Sequence, residues 1–234
     1  MNAHPLNASD DATIVLYHCV SARSFRPLWM LEELGLRYTL KMLPFPPRVL
    51  AKEYLQINPL GTIPTLLDGQ VRMTESAAIC QYLAARFSPG NLNVEVSEPD
   101  FGAYLNWLHF GEATLTFPQT LVLRYTQLEP QERRQPQVAD DYAKWFHARL
   151  RCLEPLLSEA PFLCAQRFTA ADVSVGYALM LAEHLGLAGR FTPAVASYWQ
   201  RLSERPGLRR ALDAQVQAAR AQGLSPLPAT GRGQ

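Results

Sequence analysis

The sequence predicts two units in series, an α/β unit built on a mixed four-stranded sheet and then an all-α unit. Three observations predict it. Over the first third of the 234 residues, short β-branched and aromatic runs alternate with helical patterns. Within that third, a proline leads directly into a tight hairpin at Thr65 to Met73. Beyond Pro99 the apolar spacing is helical to the end, and the length is about one and a half typical domains.

Taken in order, Thr13 to His18 (TIVLYH) reads as a buried strand. A helix over Ser24 to Leu34 follows, with Leu28, Leu31 and Leu34 on one side, Ser24 as its N-cap, Pro27 tolerated in its first turn and Gly35 as its C-cap. Tyr38 to Met42 is the second strand, laid parallel to the first by a right-handed crossover. After a further helix come Thr65-Leu66-Leu67, a turn at Asp68-Gly69, a returning strand Gln70 to Met73, and a helix opening at Thr74-Glu75-Ser76. The order is βαβ-α-ββα, that of a thioredoxin-like fold.

The most informative stretch is Ile57 to Tyr82, INPLGTIPTLLDGQVRMTESAAICQY. Pro64 cannot donate to a ladder, so it marks a strand edge or a functional bend, and a cis bond there would be a deliberate feature. Glu75 and Ser76 stand at a helix start, where free backbone N–H groups favour an anion. Together with RSFRPLWMLEELGLRY upstream, this stretch resembles the glutathione-binding half of the cytosolic glutathione S-transferases, in a bacterial form. The resemblance implies that Ile63, before a cis Pro64, offers its backbone to the glutathione cysteine like an added strand. It implies further that Ser76 binds the γ-glutamyl carboxylate and Glu75 the ammonium. A bare N-cap at Ser76 and a dipole-placed charge at Glu75 are the structural alternatives.

The loop Cys19 to Arg23 is where the thiol would be activated. A free thiol ionises near 8.5, and lowering that by two units takes about 2.7 kcal/mol of preferential thiolate stabilisation. A hydroxyl near a helix N-terminus supplies part of it. By register from Gly35, Ser21 falls on the catalytic serine of one family class, and Tyr17 is the alternative tyrosine. The cysteine of the bacterial beta class lands on Arg23, which argues against that mechanism. Tyr17 as a packed aromatic and Ser21 as a turn former stay open. Cys19 has Ala22 where a CxxC motif needs its second thiol, so a dithiol reductase is not expected. A mixed disulfide at Cys19 or a buried inert thiol remain the two readings of it.

Composition fits a cytoplasmic protein. The net charge of +1 gives no basic field for nucleic acid, and no apolar run approaches the roughly 20 residues that span a membrane. MNAHPLNASDDA is no secretory signal, and Cys19, Cys80, Cys152 and Cys164 lack metal spacing, so no metal is expected and the thiols read as reduced. The expected limits are a tail over 1–12, a glutathione-binding domain over 13–87, a linker over 88–98 ending a helix at Ser88-Pro89-Gly90-Asn91, a helical domain over 99–221 and a tail over 222–234.

In the helical half, Ser97 with Asp100 reads as a box-like helix start, and a long helix over Gln137 to Leu157 should end or bend at Pro155. Phe168-Thr169-Ala170-Ala171-Asp172 is a capping box and staple ahead of a helix, Val173 to Leu185, apolar nearly all round and so buried. The family carries this box on its central helix. Two residues depart from the family pattern. Val20 replaces a frequent proline, and Thr62 occupies the place of a basic residue for the glycine carboxylate, a contact left to Lys52, Arg48 or Arg23. The resemblance implies glutathione as cosubstrate, a hydrophobic electrophile between domains against Trp107, Phe110 and Leu115, and a homodimer with a detoxifying transferase activity. Those three residues as core or dimer contacts, a glutathione-dependent isomerase, peroxidase or thiol transferase, and a non-catalytic module are the alternatives.

Overall fold

The computed structural model describes residues 14–88 and 90–229. The expected tail over 1–12, Thr13, Pro89 and the last five residues of the expected C-terminal tail lie outside them. Strand β1 spans Ile14–His18, helix α1 Phe25–Leu34, β2 Tyr38–Met42, the short α2 Pro47–Leu50, β3 Thr65–Asp68, β4 Val71–Met73 and α3 Ser76–Phe87. The sheet order is β2-β1-β3-β4, with β1–β2 parallel and both other pairs antiparallel. This is the mixed thioredoxin-like sheet the strand pattern predicts. The hairpin differs by one residue: Asp68 pairs with Val71, so Gly69 and Gln70 are the central residues and only Gly69 takes a positive φ, 58°. Glycine at the first central position suits a primed turn.

The rest is helical: α4 Phe101–His109, a π-helical stretch Phe110–Thr116, α5 Phe117–Leu123, α6 Pro136–Leu150, α7 Glu154–Glu159, α8 Ala170–His184, α9 Pro193–Ser203 and α10 Pro206–Ala221. The long helix expected over Gln137 to Leu157 is broken into α6, a 3-10 turn at Arg151–Leu153 and α7, with Pro155 in the first turn of α7. A proline in that place has no missing bond to regret, because its N–H would be unpaired anyway. The start expected at Ser97 does not form. Helix α4 begins at Phe101, and Asp100 instead accepts from the Ala165 N–H at 2.6 Å.

Helix α8 is the centre of the molecule. Its capping box is complete, Thr169 against Asp172, and Asp172 also accepts from the Leu163 N–H and the Tyr198 hydroxyl. Twelve of its fifteen residues are buried, as an all-round apolar helix must be. Helix α1 packs on it through Trp29, which has no exposed surface; a Cβ at Gly176 would sit 2.9 Å from the Trp29 ring. Helix α10 closes the other side of α1. Gln222, placed in the tail by sequence, docks on β2: it accepts from the Met42 N–H and donates to the Leu40 carbonyl, each at 2.9 Å.

Candidate glutathione site

Sheet register brings the site together. Tyr17 on β1 faces Thr65 on β3, so the loop after β1 lies beside Ile63-Pro64, which precedes β3. Leu66 faces Met73, so the chain leaving β4 toward α3 emerges at that same end. The Ile63–Pro64 peptide is cis, and so is Phe45–Pro46, which nothing in the sequence reading anticipated.

The approach to Ile63 is built by its neighbours. Asn58 donates to the Thr62 carbonyl at 2.8 Å and accepts from the Leu60 N–H, and the Tyr54 hydroxyl donates to the same Thr62 carbonyl at 2.7 Å. Gly61 turns with φ 60°, and a Cβ there would lie 2.5 Å from the Arg48 Cβ. The position therefore excludes any side chain, on space as well as conformation. These contacts fix the backbone that Ile63 presents.

Glu75 is the N-cap residue of α3, with an exposed carboxylate that makes no cap hydrogen bond, and Ser76 is the first helical residue. The Ser76 hydroxyl is spent elsewhere than on a cap. It accepts from the Arg26 guanidinium at 3.2 Å. Arg26 is fully buried on α1 and donates also to the Thr116 hydroxyl at 2.7 Å, the Gly111 and Ser174 carbonyls and the Glu112 carboxylate, with its plane 4.3 Å from the Tyr177 ring centroid. A guanidinium has five donors and no acceptor, so Ser76 must accept from it and its own proton is left to donate. A hydroxyl with its proton free beside a helix start, backed by a buried guanidinium, can donate to an anion.

Glu112 was not foreseen, and neither was Arg26. Glu112 stands in the π-helical stretch, a local insertion that turns it toward α1. It pairs with Arg26 and with Arg23, the latter at 2.6 Å. Burial alone would raise its pKa, but the two guanidinium charges and their hydrogen bonds outweigh that and hold it below the usual carboxylate range. A Cβ at Gly111 would meet the Ser174 backbone at 2.5 Å, so glycine lets the π-helical stretch lie against α8. The visible signals were an arginine inside FRPLWML and a Gly-Glu pair inside an apolar helix.

Ser21 sits in the loop after β1 with φ 55°. Its N–H donates to Gln215 Oε1 at 2.9 Å, its hydroxyl lies 3.4 Å from Gln215 Nε2, and its carbonyl accepts from the Tyr177 hydroxyl at 3.3 Å. Ser24 caps nothing; its hydroxyl bonds the Cys19 N–H and carbonyl and ties the loop to itself. Tyr17 packs on Tyr54 with ring centroids 5.3 Å apart. Cys19 is buried, and burial pushes its thiol up to about 12, so it stays protonated and unreactive at neutral pH.

The remaining expected residues divide. Arg23 is engaged with Glu112 and the Thr120 hydroxyl in the helical half, so its guanidinium is already paired. Lys52 is exposed on the turn after α2. Trp107 and Phe110 form an edge-on pair 5.2 Å apart, and Phe110 lines an open cleft of about 390 Å³ with Leu105, His109 and Ala113. Leu115 has no exposed surface and belongs to the core against α8, so it forms no open wall.

The profile of the glutathione S-transferase N-terminal domain matches residues 20–86, the span that holds all of these first-domain residues except Tyr17 and Cys19. Glutathione S-transferase 3 of Schizosaccharomyces pombe is 26% identical over 206 residues, 84% of this chain and 85% of its own. Residues 20–86 match the N-terminal domain of the glutathione S-transferases, and the chain is similar to whole glutathione S-transferases over most of its length. Glutathione S-transferase GstB of Escherichia coli is also 26% identical, over 68% of this chain and 76% of its own. The glutathione transferase Ure2p6 of Phanerochaete chrysosporium, solved with oxidized glutathione, superposes at a TM-score of 0.78 with 26% identity, over 88% of this chain and 98% of its own. Among the described residues no group of three or more His, Cys, Asp or Glu could hold a metal ion, and no helix is long and apolar enough to cross a membrane.

Proposed function

We propose that this protein is a glutathione transferase that binds glutathione at the loop–hairpin–helix junction and activates its thiol for attack on a hydrophobic electrophile. The observation that carries this reading is the convergence of the cis Ile63–Pro64 backbone, the Arg26-backed Ser76 hydroxyl and Ser21 at one end of the sheet. The γ-glutamyl carboxylate lies at Ser76 and the start of α3, with its ammonium at Glu75. The cysteine pairs with the Ile63 backbone, and the glycine carboxylate falls to Lys52. The thiol proton leaves to solvent, and the Ser21 hydroxyl keeps its own proton and donates a hydrogen bond to the thiolate. The thiolate then forms the carbon–sulfur bond as the leaving group departs with its electron pair. The electrophile is placed against Phe110 and Trp107, because Glu112, two residues on, already reaches the loop through Arg23. Tyr17 is left with the role of a packed aromatic on Tyr54. Thiol transfer through Cys19 has no support, since that thiol is buried and protonated.

A homodimer in the cytoplasm, with the first unit of one subunit facing the second unit of the other, completes the proposal. Large apolar side chains exposed on both units, Val49 and Leu60 on one and Phe117 and Trp145 on the other, are consistent with it. A detoxifying role follows only if turnover is broad. The deciding experiment combines calorimetric binding of glutathione with turnover of an aryl halide and of a peroxide. Binding with aryl-halide conjugation is expected. Peroxide turnover alone would make the protein a peroxidase, and no binding at all would overturn the reading.

A further inference from the structure

Gln215 belongs to α10, 194 residues from Ser21 in sequence, yet its amide is buried against the loop after β1. We infer that Gln215 is a positioning residue that leaves the Ser21 hydroxyl with its proton free for the glutathione sulfur; the inference rests on the proposal that Ser21 is the catalytic group.

The polarity follows from one obligate donor. A backbone N–H can only donate, so the amide oxygen of Gln215 faces Ser21 N, at 2.9 Å. The same oxygen is 3.0 Å from His18 Nε2, so that ring nitrogen carries the proton. His18 is fully buried, and burial pushes it down to about 4, so the ring is neutral and the tautomer is set by Gln215. The amide nitrogen then lies 3.4 Å from Ser21 Oγ, at the long end of hydrogen-bond range, and it can only donate. Ser21 Oγ thus accepts from Gln215, and its single proton points elsewhere. The Ser21 N–H, otherwise a rival donor to sulfur, is already occupied.

The same contact holds the loop. A serine at φ 55° is in the left-handed region, where non-glycine residues are uncommon. Gln215 takes its N–H on one side, and Tyr177 of α8 donates to its carbonyl on the other. Two helices of the second unit therefore fix the conformation of a residue in the first.

The test titrates the glutathione thiol bound to the full-length protein, by thiolate absorbance, with glutathione affinity measured alongside. Gln215→Met should raise the bound thiol pKa by about one unit, leaving about tenfold less thiolate below it. Glutathione Kd should change by less than about threefold, since Gln215 is buried with its amide engaged by Ser21 and His18. Gln215→Glu keeps an acceptor for the Ser21 N–H but supplies no donor, so the Ser21 proton turns to the carboxylate and the thiol pKa should rise again. Both substitutions are repeated in Ser21→Ala, where Gln215→Met should shift nothing further because it acts through the missing hydroxyl. An unchanged thiol pKa in both Gln215 variants, or a Gln215→Met shift that adds in full to that of Ser21→Ala, overturns the role of Gln215 alone. A Ser21→Ala protein whose bound thiol pKa does not move overturns the catalytic role of Ser21 and this inference with it. If Gln215→Met does not fold, Gln215→Glu in the two backgrounds carries the same decision, with a shift present only when Ser21 is present as the expected result.

Discussion

Arg26 brings a full charge into an interior where burying an ion unpaired costs several kcal/mol. It is tolerated because every direction it faces holds an acceptor: Glu112, Thr116, Ser76 and two carbonyls. Ser76 is the member of that set that meets glutathione in the proposed site. Ser76→Ala should therefore weaken glutathione binding by about 1.5–3 kcal/mol, the loss of a charge-assisted hydrogen bond. Calorimetry checks it, and unchanged affinity with a lower melting temperature would reduce Ser76 to a structural partner of Arg26. Glu112 sets the pH behaviour of the same network. Its folded-state pKa is depressed below the ordinary 4.5, so its stabilisation is fully present above that value and is lost as pH falls through the lower folded one. Glu112→Gln should cost about 3 kcal/mol at most at neutral pH, because the carboxylate is a quarter exposed. The gap between wild type and Glu112→Gln in denaturant unfolding should narrow as pH drops below 4.5, and a gap constant with pH would refute the ion pair.

At the scale of elements, α8 depends on its first turn. The helix is apolar on all sides and has no exposed face to reward partial formation, so its start must be fixed by hydrogen bonds. Thr169→Ala should cost about 1 kcal/mol by removing the cap. Asp172→Ala should cost more, since it also strips the Leu163 N–H and the Tyr198 hydroxyl of their acceptor. Urea unfolding of the two variants ranks them, and the reverse order would mean that the carboxylate is dispensable. This box was legible because its chemistry is local: a hydroxyl, a carboxylate three residues on and an apolar neighbour. Ser97–Asp100 shows the same spacing and fails, because Asp100 is drawn to the Ala165 N–H, 65 residues away. Spacing proposes a cap, and tertiary competitors decide whether the side chain is free to form it.

For the whole molecule, the predicted assembly is a dimer of twice the 26.2 kDa chain. Light scattering at micromolar concentration should give that mass, and a monomer mass would remove the proposal. The sequence by itself determined the strand–helix order, the cis-proline hairpin, the Glu75–Ser76 helix start and the likeness to the glutathione S-transferases. Each is written in short-range patterns of turn residues, caps and apolar periodicity. Only the tertiary structure decided which of those side chains have company. Arg26, Glu112 and Gln215 reach the site from α1, the π-helical stretch and α10, and no local spacing announces partners 86 and 194 residues apart. The same long-range packing engages Arg23 and buries Leu115 and Cys19. Burial and hydrogen-bond competition are properties of the assembled fold, so the direction in which a hydroxyl or a guanidinium finally points is settled there.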